Sequence, residues 1–263
     1  MKFCGYILFL TILTISINGC KKQPDCPEHM GYQQYGEPFS NVPATEDIVM
    51  YEVNLRAFSQ EGNLASIQQK LDHLASLGVN VIWLMPIQTN GGPLNSPYCI
   101  SNFYEVDEEY GTLEDLRTFV VEAHSRNMAV ILDWVANHTS WDHPWIDSTG
   151  WHTTDAQGNI IHPSGTNWTD VADLNFDNTA LQEQMIDALR YWVLEANVDG
   201  YRCDAADYVP FDFWQKAIDS LRSIPNREII MLAEGARVDH FDAGFDMNFD
   251  WNFYNKGKDI FNQ

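Results

Sequence analysis

The 263-residue chain is 45% apolar and 13% aromatic, ample for a sizeable buried core, which excludes an intrinsically disordered protein. Its 37 acidic and 15 basic residues leave a net charge of −22, so polyphosphates are repelled at long range and nucleic acid is not an expected partner. A neutral, hydroxyl-bearing ligand, able to stack on rings and to hydrogen-bond with carboxylates, is compatible with this composition.

Residues 1–20 read as a secretion signal: "MKF" gives a positive start, "CGYILFLTILTISI" a short apolar run, and "NGC" a small residue before Cys20. "INGCKK" resembles the lipobox of bacterial lipoproteins, where the cysteine is lipidated; Asn18 fits it loosely, and an ordinary cleaved signal or a single anchor helix are the alternatives. On each reading the body is exported, and lipidation of Cys20 makes it a membrane-anchored lipoprotein, periplasmic or at the cell surface. Beyond the signal, Cys26, Cys99 and Cys203 match no metal-ligand spacing and read as small buried or linker cysteines.

Residues 21–47, rich in Pro, Gly and polar side chains, read as a tether and irregular lead-in. From residue 48 onward, strands and helices alternate. "IVMYEVN" is a strand, followed by a helix over Asn63–Gly78 with Leu64, Ile67, Leu71, Leu74 and Leu77 at helical spacing, and by the strand "VNVIWLMP". "TLEDLRTFVVEAHSRN" is a helix capped by Thr112 with Asp115 three residues on, leading into the strand "MAVILDW". A polar insertion over about 139–170, carrying Trp141, Trp145, Trp151 and Trp168, precedes the helix "TALQEQMIDALRYWVLEAN" and the strand "VDGYRCD". A helix from Pro210 and the strand "EIIMLAEG" follow, with "FDMNFDW" as a sixth strand candidate.

Continuous apolar strands separated by helices predict a parallel sheet covered on both faces, and no Gly-rich phosphate loop follows the first strand. The fold expected is a (β/α)8 TIM-type barrel, present as about its first six strands, with a short insertion after the third. Polar residues gather where strands end: Asp133, Asn137 and His138 after the third, Arg202 and Asp204 at the fourth, Glu234 at the fifth.

Two carboxylates on neighbouring strand ends are the minimum equipment for retaining glycoside hydrolysis. Arg202, two residues before Asp204 and so on the same strand face, is expected to hold that carboxylate ionised for nucleophilic attack. The apolar run before Glu234 is expected to desolvate it and raise its pKa, as suits an acid/base. A buried ion pair is the competing reading of Arg202 and Asp204. Asp207 reads as a residue of the helix start before Pro210.

With "DWVANH", "GYRCD", "MLAEG", "VADLN" and "PYCISNFYEVDEEYGTLEDL" in this order over Tyr51–Trp251, the chain resembles the α-amylase family of glycoside hydrolases. The resemblance implies Asp204 as nucleophile, Glu234 as general acid/base and Arg202 as orienter of Asp204. It also implies His138 as a sugar ligand, Asp133 as a supporting acid and Tyr98 as a stacking platform. A calcium ion held by Asn137 and Asp173, with the carbonyl of Tyr208, is implied as well. The insertion resembles a reduced second domain, whose tryptophans either line sugar subsites or form a mini-core.

The family's later His-Asp signature and the seventh and eighth strands do not occur in this sequence. The expectation is therefore an N-terminal fragment of a longer enzyme, unstable or inactive by itself. The expected function is a retaining glycoside hydrolase or transglycosylase on α-linked glucans or maltooligosaccharides, in carbohydrate metabolism. The alternative is a non-catalytic α-glucan-binding lipoprotein with the same barrel.

Overall fold

The structure, a computed structural model, describes residues 31–92 and 96–262; the signal-like segment with Cys20, and Cys26, lie outside the described residues. In chain order the elements begin with β1 (Met50–Val53), α1 (Leu55–Phe58), α2 (Leu64–Gln68), α3 (Leu71–Ser76) and β2 (Val81–Leu84). A hairpin of β3 (Gln88–Asn90) and β4 (Ile100–Val106) leads to α4 (Leu113–His124) and β5 (Ala129–Trp134). After β5 come β6 (His138–Ser140) and β7 (Val171–Asp173), then α5 (Thr179–Glu195) and β8 (Gly200–Cys203). The chain continues through α6 (Phe211–Arg222), β9 (Ile230–Ala233), α7 (His240–Ala243), β10 (Met247–Asn248) and α8 (Trp251–Phe261).

Six strands form one sheet in the order β1-β2-β5-β8-β9-β10, and every neighbouring pair is parallel. The order follows the chain without reversing, as in a barrel; a doubly wound sheet reverses at a switch point. β2, β5, β8 and β9 are buried along their whole length, which is why they read as continuous apolar runs. Outside the sheet, α4, α5 and α6 bury Phe119, Trp192, Phe213 and Trp214 in the main core. Inside it, Val81, Trp83, Ala129, Ile131 and Ile230 form a second cluster. Phe39, Val42 and Ile48 of the lead-in pack onto that cluster, so this segment covers part of the inner face of the sheet.

Local signals explain several boundaries. Thr112 and Asp115 form the expected capping box, with Asp115 N bonded to Thr112 Oγ1 (3.2 Å) and Thr112 N to Asp115 Oδ2 (2.8 Å). The helix expected over Asn63–Gly78 is instead two helices. Lys70 N turns back to Ile67 O at 2.8 Å, a three-residue closure, before Leu74 N resumes the four-residue pattern on Lys70 O. The buried face survives the break in Leu64, Ile67, Leu71 and Leu74, whereas Leu77, at the C-cap of α3, points out and is 56% exposed. Gly200 is fixed by close approach: its φ is +153°, and a Cβ there would lie 2.0 Å from Ile230 O on β9.

Candidate active site

The centre of the site is one guanidinium shared by three acids. Parallel register places Asp133 of β5 opposite Arg202 of β8, with β9 on the other side. Arg202 Nη1 donates to Asp133 Oδ1 (2.8 Å) and Oδ2 (3.0 Å) and to Asp204 Oδ1 (2.9 Å). Its Nη2 lies 3.0 Å from Glu234 Oε2. Asp133 is fully buried and also accepts Trp83 Nε1 at 3.1 Å and the Tyr98 hydroxyl at 3.2 Å. The guanidinium carbon lies 4.9 Å from the centre of the Trp83 ring, so the cation is packed as well as paired.

Asp204 and Glu234 directly follow the register partners Cys203 and Ala233, on adjacent strands about 4.8 Å apart. Adjacent strand ends bring the two side chains to one place, where both reach the Arg202 guanidinium. Ala205 holds a left-handed conformation (φ +46°), uncommon for a residue with a Cβ, and donates its N–H to Glu234 Oε2 at 2.9 Å. The strained turn after Asp204 thus helps to hold Glu234.

The environments of the two acids reverse the expectation from sequence. The Asp204 side chain is 14% exposed and that of Glu234 27%, so the apolar run before Glu234 does not desolvate it more than its neighbour. Burial, then the charge of Asp133, pushes the Asp204 pKa up against the pull of Arg202. Burial pushes Asp133 up as well, with Arg202 opposing. One guanidinium does not neutralise three carboxylates, so the cluster is disposed to hold a proton, as acid–base chemistry requires.

The opposite wall comes from loops. A cleft of about 290 Å³ is bounded by Tyr98, His138, Trp168 and Asp170 on one side and by Asp204 and Glu234 on the other. His138 accepts from Asn137 Nδ2 at Nδ1 and donates from Nε2 to Tyr98 O, both at 3.2 Å, which sets it as the neutral Nε2–H tautomer. Burial lowers its pKa to about 4. Trp168 packs on His138 (5.8 Å between centroids) and on Tyr208 (5.4 Å), so this tryptophan lies at the cleft. Trp145 and Trp151 instead pack on each other, and Trp145 on Phe103, at the edge of the main core. The sequence gives no signal separating these two fates. Cys99 donates to Asp170 Oδ2 (3.3 Å) and burial pushes its thiol up to about 12; Cys203 is fully buried, so neither offers a thiolate.

Of the sequence-predicted residues, the structure brings together Tyr98, Asp133, His138, Arg202, Asp204 and Glu234. Asn137 and Asp173 lie behind His138. The Asn137 amide is bonded to His138, and Asp173 interacts with Thr153 and His162 of the insertion. Calcium takes six or more oxygens. Asn137 and Asp173 supply at most three side-chain oxygens between them, so these two residues do not complete that shell by themselves. Among the described residues no three His, Cys, Asp or Glu side chains gather into a metal site. Asp207 does not serve the start of α6: its carboxylate accepts the N–H groups of Ala236 and Arg237.

A family model described as "Alpha amylase, catalytic domain" matches residues 33–157 and 148–249. Alpha-amylase MalA of Haloarcula japonica is 31% identical over 230 residues, covering 82% of this chain and 34% of that protein. Trehalose synthase/amylase TreS of Mycolicibacterium smegmatis is 35% identical over 199 residues, covering 61% of this chain and 33% of the relative. The crystal structure of an alpha-amylase from Lactobacillus plantarum superposes with a TM-score of 0.76 at 34% identity, covering 82% of this chain and 55% of that one. The chain thus spans about a third of the length of these curated relatives and about half of the solved one.

Proposed function

Because the chain belongs to the alpha-amylase family, we propose that it carries the nucleophile and acid/base of a retaining glycosidase or transglycosylase acting on α-linked glucans. The observation that carries this reading is the pairing of Asp204 and Glu234 at register-matched ends of β8 and β9, both bonded to Arg202. A glucosyl unit stacks on Tyr98, with the His138 ring, held by its bonds to Asn137 and to Tyr98 O, as the wall beside it. Arg202 orients Asp204, which attacks the anomeric carbon as a carboxylate in the protonation state of the coupled cluster that leaves its proton on Glu234. Glu234, the more exposed acid, gives its proton to the departing glycosidic oxygen. It then takes a proton from water, whose oxygen displaces Asp204 from the anomeric carbon to complete hydrolysis, or from a sugar hydroxyl, whose oxygen does the same to complete transfer. Both outcomes use the same residues, and the proposal covers both. We propose in addition that the protein is exported and lipidated at Cys20, on the strength of the "INGCKK" motif.

The test is azide rescue with an activated α-maltosyl substrate, using the protein that carries this chain. In Asp204→Ala, azide replaces the nucleophile and the product is the β-glycosyl azide. In Glu234→Ala, azide attacks the glycosyl-enzyme and the product is the α-glycosyl azide. Glucan binding without turnover, and no azide product from either variant, would replace this reading with that of a non-catalytic glucan-binding protein whose acids form a buried ion cluster.

A further inference from the structure

We infer that Asp207 is a positioning residue for Glu234, and that the turn after the nucleophile strand is the template on which the acid/base loop is held. This rests on the proposed role of Glu234. The turn and the loop meet at successive points. Ala205 N donates to Glu234 Oε2 at 2.9 Å and Ala206 N to Glu234 O at 3.0 Å. Asp207 then accepts Ala236 N at Oδ2 (2.9 Å) and Arg237 N at Oδ1 (3.1 Å), two and three residues beyond Glu234. The grip is returned by Arg237, whose Nη1 donates to the carbonyls of Asp207 (3.3 Å) and Val209 (3.0 Å).

Gly235 lies in the middle of this contact, and a Cβ there would stand 2.5 Å from both Asp207 Oδ1 and His240 Cε1. Any side chain there would displace the Asp207 carboxylate or the His240 ring from the loop. His240 is fully buried behind Gly235, with Nε2 3.6 Å from Asp207 Oδ1, and Asn248 bridges it to the loop by donating to Arg237 O at 2.9 Å. The loop after β9 is therefore fastened from two sides, and its only carboxylate aimed into the cleft is Glu234. Asp207 is not among the residues bounding the cleft, so it acts on the chemistry through Glu234 alone.

A positioning role predicts a dependence on the leaving group. Cleavage of an unactivated maltooligosaccharide needs the Glu234 proton; α-maltosyl fluoride, whose leaving group departs without one, does not. Asp207→Ala is expected to lower kcat/KM on the oligosaccharide on the order of 10²-fold, the cost of a carboxyl misplaced by about an ångström. On the fluoride the loss stays below about 3-fold, since general-acid assistance is the term removed. Asp207→Asn, which keeps Oδ1, restores most of the oligosaccharide activity. If Asp207→Ala does not fold, Gly235→Ala is measured instead and shows the same split. Equal losses on both substrates, or no loss on either, overturn the proposal. Glu234→Ala is the control: if it shows no leaving-group split, the reading of Glu234 fails rather than that of Asp207.

Discussion

The two walls of the cleft are built by different means. One is the row of strand ends of β5, β8 and β9, where parallel register sets Asp133 beside Arg202, Asp204 and Glu234 follow the next register pair on β8 and β9, and all three carboxylates bond to the one guanidinium. The other is the loop before β4, the start of β6 and the insertion between β6 and β7, which contribute rings and a neutral histidine, His138, held by Asn137 and the Tyr98 carbonyl. The first wall is rigid because its geometry is that of the sheet; the second depends on local packing of Phe103, His143, Trp145 and Trp151. The difference teaches that the proposed catalytic acids are tied to the most buried backbone, and the proposed sugar-contacting rings to loop packing at the edge of the same core.

That contrast is open to attack from both sides. The largest effect is expected at Arg202: Arg202→Ala leaves three carboxylates without their counter-charge and costs about 3–5 kcal/mol in chemical denaturation. A cost below about 1 kcal/mol would show that the strand-end wall does not depend on its charge cluster.

The loop wall is expected to yield to acid. His143 and His152 are buried, and burial lowers their pKa values to about 3 and about 4. Their folded pKa values lie below the unfolded value, so their neutral-form stability is full above about pH 6.5 and is lost as pH falls toward 4. On the order of 3 kcal/mol per histidine is lost by pH 4. Hydrogen exchange should rise in residues 139–173 before it rises in β5 and β8, and simultaneous loss would merge the two walls into one unit.

Trp168→Ala separates fit from chemistry. It is expected to raise KM for a maltooligosaccharide about 10-fold, as removal of one stacking ring does, with kcat within about 3-fold. A fall in kcat alone would place Trp168 with the catalytic wall.

The smallest effect concerns stability. The Asp204 pKa is raised on folding, so ionising it weakens the fold as pH climbs above the ordinary carboxylate value of about 3.9. Asp204→Asn, though inactive, is expected to be about 1 kcal/mol more stable than the parent at pH 8 and equal to it at pH 3. A variant less stable at pH 8 would mean that the bond to Arg202 outweighs burial.

Sequence periodicity and end signals were legible because they are local. The Thr112 cap, the strand runs at Ile48, Val79, Met128, Val198 and Glu228, and the positions of Asp204 and Glu234 at strand ends could all be read before any contact was known. Two regions show where such reading stops. α6 and α8 are both amphipathic, yet α6 buries Phe213, Trp214, Ala217, Ile218 and Leu221 while no residue of α8 is buried. A helix face states what it could cover, and only a neighbour decides whether it does. Likewise the Asn63–Gly78 pattern fixes the buried leucines but not the turn at Lys70, whose closure on Ile67 leaves that spacing unchanged.

The sequence by itself determined the alternation of strand and helix, the parallel sheet and which acids stand at its mouth, because hydrophobic period, capping and strand polarity are properties of neighbouring residues. Only the tertiary structure decided that Arg202 is shared by three carboxylates, that Asp204 is more buried than Glu234, that Trp168 faces the cleft while Trp145 does not, and that Asp207 grips the loop after Glu234. Desolvation and shared hydrogen bonds depend on every group that converges on a point, and residues from 69 or 29 positions away along the chain meet here only when the sheet is formed.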